Sequence, residues 1–168
     1  MGWTNFPTSP QAYFYTGQLI AAADMNTYIR DNLSYLLSGF PLASLIREGT
    51  SDYSLTNTTF ADVDGTNLIL TMTLASTRAI VIATFLASPV TNQVADFDII
   101  ANSATRCGGT NGVAHTVGNG LNLIQVTTRF TGLTPGVNTF KLQAKSRAAG
   151  TYTIYNNTKT IVMLGWGY

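Results

Sequence analysis

Charge is what this sequence has least of. Nine Lys or Arg and eight Asp or Glu make up only 10% of its 168 residues, far below the roughly 25% usual in soluble domains. The net charge is +1, with no basic run or stripe. Docking on nucleic-acid phosphates needs clustered cations, so no nucleic-acid partner is expected. Cysteine is nearly absent: Cys107 is alone, which excludes an internal disulfide. Histidine is equally scarce. Any Ser-His-Asp or Cys-His centre would have to use His115, in a glycine-rich stretch near Cys107 where a surface loop residue is the default. One Cys and one His cannot hold zinc without carboxylates, and no metal or cofactor is expected. Long apolar runs are missing too. The span 79–95 is broken by Ser88-Pro89 and Thr91-Asn92-Gln93, short of the roughly 20 residues that cross a bilayer, so no membrane partner is expected. The opening Met1-Gly-Trp-Thr-Asn has neither the basic nor the apolar part of a secretory leader, and export is not expected.

Threonine, asparagine, serine and glycine fill the place of the charges. Hydrophobic residues still make up 45% of the chain, the opposite of a disordered composition. The combination suits β-sheets with polar, uncharged outer faces. The length allows one domain plus an extension. A near-neutral surface this poor in charge has low colloidal solubility, and burying part of it between copies of the chain relieves that, which points to a homo-oligomer.

Residues 1–45 read as an arm and a helix. The arm carries Trp3, Phe6, Tyr13, Phe14 and Tyr15 beside Pro7 and Pro10, an extended pattern. A helix is predicted over 21–37. Met25, Ile29, Leu33 and Leu36 form one apolar stripe, flanked by Tyr28, and Gly39 and Pro41 stop it. Stripe and aromatics need a surface to cover: the chain's own sheet, a sister subunit or another protein. Residues 42–49 read as a connector.

From residue 46 the pattern is β. Strands are expected at 53–60, 67–74, 79–87, 94–101, 121–131, 137–146, 151–155 and 160–168. Leu68, Leu70, Met72 and Leu74 alternate against Ile69, Thr71 and Thr73. The 79–87 segment is apolar on both faces and reads as a central strand covered on both sides. Asp64-Gly65 is a hairpin-type turn signal, and Asp62-Val-Asp-Gly65 resembles a fragment of a calcium loop without its remaining ligands. Short strands separated by turns, with no helical period between them, predict an antiparallel β-sandwich or jelly roll over 46–168.

The block Tyr15-Thr-Gly-Gln-Leu-Ile-Ala-Ala-Ala-Asp-Met-Asn-Thr-Tyr-Ile-Arg-Asp-Asn resembles a box in structural proteins of tailed bacteriophages and prophages. Met25 stands where that box usually has leucine. A second likeness starts at Gly132-Leu-Thr-Pro-Gly-Val-Asn-Thr-Phe, which looks like the end of trimeric jelly rolls of the tumour-necrosis-factor/C1q shape. The resemblance implies a non-enzymatic virion component made in the host cytoplasm: a trimeric fibre, decoration or adaptor subunit. It would dock on capsid, neck or tail proteins through residues 1–45 and display the β-domain. A carbohydrate- or receptor-binding module of a phage adhesin, touching host-surface glycan, is the alternative.

Two further groups are candidate ligand or interface faces. Asp96 and Asp98 lie two apart on one strand face, where a solvated face is the plain expectation and a metal site or an axial ring in a trimer the sharper one. Tyr152, Tyr155 and Trp166 gather near the C-terminus and could serve as core, subunit contact or sugar platform.

Overall fold

The computed structural model describes residues 42–89, 93–117, 120–157 and 159–168. The helix expected at 21–37 lies outside these residues. Among the described residues there is no helix. Twelve strands form instead: β1 (Leu42–Arg47), β2 (Tyr53–Leu55), β3 (Ala61–Asp62), β4 (Ile69–Leu74), β5 (Arg78–Pro89), β6 (Val94–Ala101), β7 (Thr105–Arg106), β8 (Ala114–Val117), β9 (Asn122–Thr131), β10 (Gly136–Ser146), β11 (Tyr152–Tyr155) and β12 (Ile161–Gly167).

All strand pairing is antiparallel and falls into two sheets. Several short strands lie end to end along one partner. β11 and β12 pair with successive halves of β5, and β2 and β1 continue outward from them. β3 and β4 share one edge of β10; β7 and β8 share one edge of β6. Twelve strands thus make eight lines. Numbered along the chain, sheet I runs 1-8-3-6 and sheet II runs 2-7-4-5.

The sheets stack over one apolar core, an arrangement compatible with a β-sandwich. Phe85 of β5 meets Phe97 of β6 edge-on with ring centroids 5.0 Å apart. Tyr152 of β11 also meets Phe97 edge-on, at 6.4 Å. Phe130 of β9 packs on Phe140 of β10 at 5.2 Å. The alternation read in β4 holds: Leu70, Met72 and Leu74 are buried, while Thr71 and Thr73 are exposed.

Four expectations change. Residues 42–47 are a paired strand, β1, so this part of the connector belongs to the β-body. The 53–60 strand shortens to Tyr53–Leu55. Asp64-Gly65 closes no hairpin: it lies in the excursion between the collinear β3 and β4, where the Asp64 carboxylate accepts the Thr66 and Asn67 N–H groups. The interruptions of lines 1 and 8 of sheet I interlock in the same way. Asp52 accepts both the Asn156 and Asn157 N–H groups at 2.8 Å, and the Gly49 N–H donates to the Asn156 carbonyl at 2.9 Å. Finally, β5 is central, but its outer face is only half-buried at Ile80, Ile82 and Leu86.

Candidate functional site: two outer sheet faces

Sheet I carries an apolar outer face. Antiparallel partners project to the same side, so register alone assembles it. One row holds Leu42, Trp166 and Ile80; the next has Leu164 beside Ile82; a third places Ile46 beside Val162; and further along β5 Tyr155, Leu86 and Leu123 align. Leu42, Ile46 and Leu123 are each at least 70% exposed. Arg129, Thr127 and Gln125 of β9 close one side. A contiguous apolar face of this kind is a candidate interaction surface rather than ordinary scatter.

The outer face of sheet II is polar and differently built. Asp96 and Asp98 do project from the same face of β6, yet both are fully buried, which corrects the expectation of a solvated pair. Each has its own partners. Arg147 Nε lies 3.0 Å from both Asp96 oxygens and Nη2 is 2.8 Å from Oδ1, with Lys145 Nζ at 3.8 Å. Asp98 accepts the Ile99 and Gly108 N–H groups. Burial pushes the Asp98 carboxyl up, against the pull of those N–H groups and Arg106. Asp98 thereby pins the glycine-rich loop onto the sheet. That loop doubles back tightly. Gly112, at φ +65°, sits where a Cβ would stand 2.4 Å from the Phe97 carbonyl oxygen, and the Val113 N–H donates to that oxygen at 3.0 Å.

Beside the loop an open cleft of about 780 Å³ lies between residues 58–60 and 106–110, with Ile100, Gln143 and Lys145 as its floor. Two cations pack on the Phe60 ring. The Arg106 guanidinium lies 4.3 Å from its ring centroid and the Lys145 ammonium 5.2 Å from it. At the far edge of this face, Lys141 Nζ and Gln143 Nε2 donate to Asp62 at 2.9 and 2.8 Å. Asp62 and Asp64 thus serve different partners. Among the described residues no three His, Cys, Asp or Glu side chains gather as metal ligands.

The remaining sequence candidates are dispersed. Tyr152 is buried in the core, its hydroxyl 3.0 Å from Asn57 Oδ1. Burial pushes that hydroxyl well above the ordinary tyrosine range. Tyr155 and Trp166 lie on the outer face of sheet I, aligned with Leu86 and Ile80. Six residues of strand, about 20 Å, separate those rows, so the two rings form no common platform. Cys107 donates its thiol to the Arg129 carbonyl at 3.1 Å. Burial and the Asp98 charge push that thiol up, the reverse of an activated nucleophile. His115 is exposed on β8, opposite Asp96. Trp3, Phe6, Tyr13, Phe14, Tyr15, Met25, Tyr28, Ile29, Leu33 and Leu36 lie outside the described residues. Sequence reasoning missed Phe60, Arg106, Lys145 and Arg147. No spacing links them; the strand period alone sets Lys141, Gln143 and Lys145 on one face of 137–146.

No protein-family model matches this chain, and no curated protein matches it.

Proposed function

We propose that the chain is a non-enzymatic structural subunit of a tailed-phage virion, a homotrimeric fibre, decoration or adaptor protein. The single observation that carries this reading is the apolar outer face of sheet I. A charge-poor chain that leaves Leu42, Ile46, Leu123 and Leu164 facing outward gains by covering them with copies of itself. Burying apolar area stabilises by roughly 25 cal/mol per Å², and a stable interface needs on the order of 1,000 Å². The strand orders 1-8-3-6 and 2-7-4-5 fit a jelly roll and support a likeness to the trimeric tumour-necrosis-factor/C1q shape. In this reading the segment before β1, with the phage-like box, docks on other virion proteins and the β-body faces outward.

Mass in solution is the test. The full chain should sediment as a trimer, and Leu164→Glu with Ile46→Lys should give a monomer with an unchanged near-ultraviolet spectrum. A monomeric wild type, or a trimer that tolerates both charges, refutes assembly through this face. Immunogold labelling of the phage places the subunit; label confined to lysate and absent from purified particles refutes the virion assignment.

A further inference from the structure

The cleft on sheet II has a distinct chemistry. Lys141 and Arg147 spend their charge in hydrogen bonds to Asp62 and Asp96. The two cations that line the cleft do not. The Arg106 side chain makes no hydrogen bond and no ion pair among the described residues; it lies over the Phe60 ring and otherwise only feels the charge of Asp98. Its Nη1 is buried without any partner. Lys145 reaches only the far oxygen of Asp96, at 3.8 Å, and that carboxylate is already held by Arg147. A buried donor left unpaired carries a penalty that an incoming acceptor relieves.

The rest of the lining narrows the class of acceptor. Thr58, Thr59 and Thr110 bring hydroxyls, which both donate and accept. Gln143 adds a carboxamide whose Nε2 is engaged with Asp62, leaving its oxygen as an acceptor. Ile100 gives a small apolar floor. An open cleft of about 780 Å³ lies within the range of ordinary ligand sites, yet it lacks the mostly apolar walls of a site for a hydrophobic molecule. Clustered hydroxyls suit a polyhydroxylated ligand, and a planar guanidinium suits a carboxylate.

We infer that this cleft binds an acidic saccharide, with the sugar carboxylate on Arg106 and Lys145 and the ring hydroxyls on the threonines. Phe60 acts as a positioning residue. Both cations pack on its ring, at 4.3 and 5.2 Å from the centroid. The inference is independent of the virion assignment and of the sheet I interface.

Calorimetric titration of the full chain tests it, with oligogalacturonate and sialyllactose as probes and methyl-esterified oligogalacturonate and lactose as neutral counterparts. At least one acidic probe should bind, its neutral counterpart should not, and raised salt should weaken it. Arg106→Gln should lose about tenfold or more in affinity, the value of one charged hydrogen bond, and Lys145→Gln should also weaken binding. Both variants should melt close to wild type, since among the described residues neither side chain donates a hydrogen bond and the Lys145–Asp96 pair is long, at 3.8 Å. Phe60→Leu should weaken binding while keeping the melting point within a few degrees. Overturning results are no binding of either acidic probe, equal binding of the esterified form, unchanged affinity in Arg106→Gln, or equal competition by inorganic phosphate. The last would mark a general anion site.

Discussion

Arg147 grips the buried Asp96 carboxylate from the side, with Nε and Nη2 sharing its two oxygens. Asp96 has no exposed surface, whereas the arginine side chain is 41% exposed. The pair therefore neutralises a buried charge from the rim of the sheet. Breaking such a pair from one side is worse than removing both charges, because a lone buried carboxylate remains. Arg147→Ala should lower the melting temperature, and Asp96→Asn on that background should recover part of the loss. Thermal melts of the two singles and the double decide it; strictly additive losses would refute the coupling.

The loop that covers Asp98 depends on one glycine far more than on its neighbour. Gly112→Ala forces a side chain into a left-handed conformation and against the Phe97 carbonyl. Backbone strain alone costs on the order of 1–3 kcal/mol, and the contact adds to it. Gly109 has open space at its Cβ, so Gly109→Ala should stay within about 0.5 kcal/mol. Urea denaturation of both variants checks the contrast.

Two carboxylates should pull the acid behaviour in opposite directions. Burial works to raise Asp64, but hydrogen bonds from Asn67, Thr66 and Tyr53 outweigh it and hold the carboxyl at about 2. Its folded value lies below its unfolded one, so this stability is complete above the ordinary carboxylate range and is lost as pH falls towards 2. Asp98 is raised by burial. Its folded value lies above its unfolded one, so stability is lost as pH rises from the ordinary carboxylate range through that value. In denaturation series against pH, Asp64→Ala should flatten the acid limb. Asp98→Asn should hold its stability above about pH 4, where the wild type gives some up.

Phe97 is the ring on which both sheets converge, between Phe85 and Tyr152. Phe97→Ala should cost about 3–5 kcal/mol, the loss expected for a buried phenylalanine. Tyr152→Phe removes only the hydroxyl that donates to Asn57 and should cost about 1 kcal/mol. A Phe97→Ala loss no larger than that of Tyr152→Phe would show that the core does not centre there.

The fold was largely legible where period and burial agree. Leu68, Leu70, Met72 and Leu74 announced an inward face, and most strand spans followed from their turns. β1 was hidden because Leu42-Ala-Ser-Leu-Ile-Arg mixes polar and apolar residues on both faces and sits between Pro41 and Gly49, as an edge strand can. The outer face of β5 looked like the buried side of a central strand, because apolar residues read the same whether the chain's own elements or another surface covers them. The sheet II site was nearly illegible. Asp96 meets Arg147, 51 positions away, and Phe60 meets Arg106 across strands whose adjacency depends on β10. Such pairings are set by register over the whole sheet, which local pattern does not carry.

The pairing of Leu42 with Trp166 has a consequence for biosynthesis. Sheet I places its first line beside its last, so the sheet cannot close until the C-terminal strand has left the ribosome. Contacts so distant in sequence also make closure slow. A nascent or truncated chain therefore presents unpaired strand edges where the finished one presents a sheet.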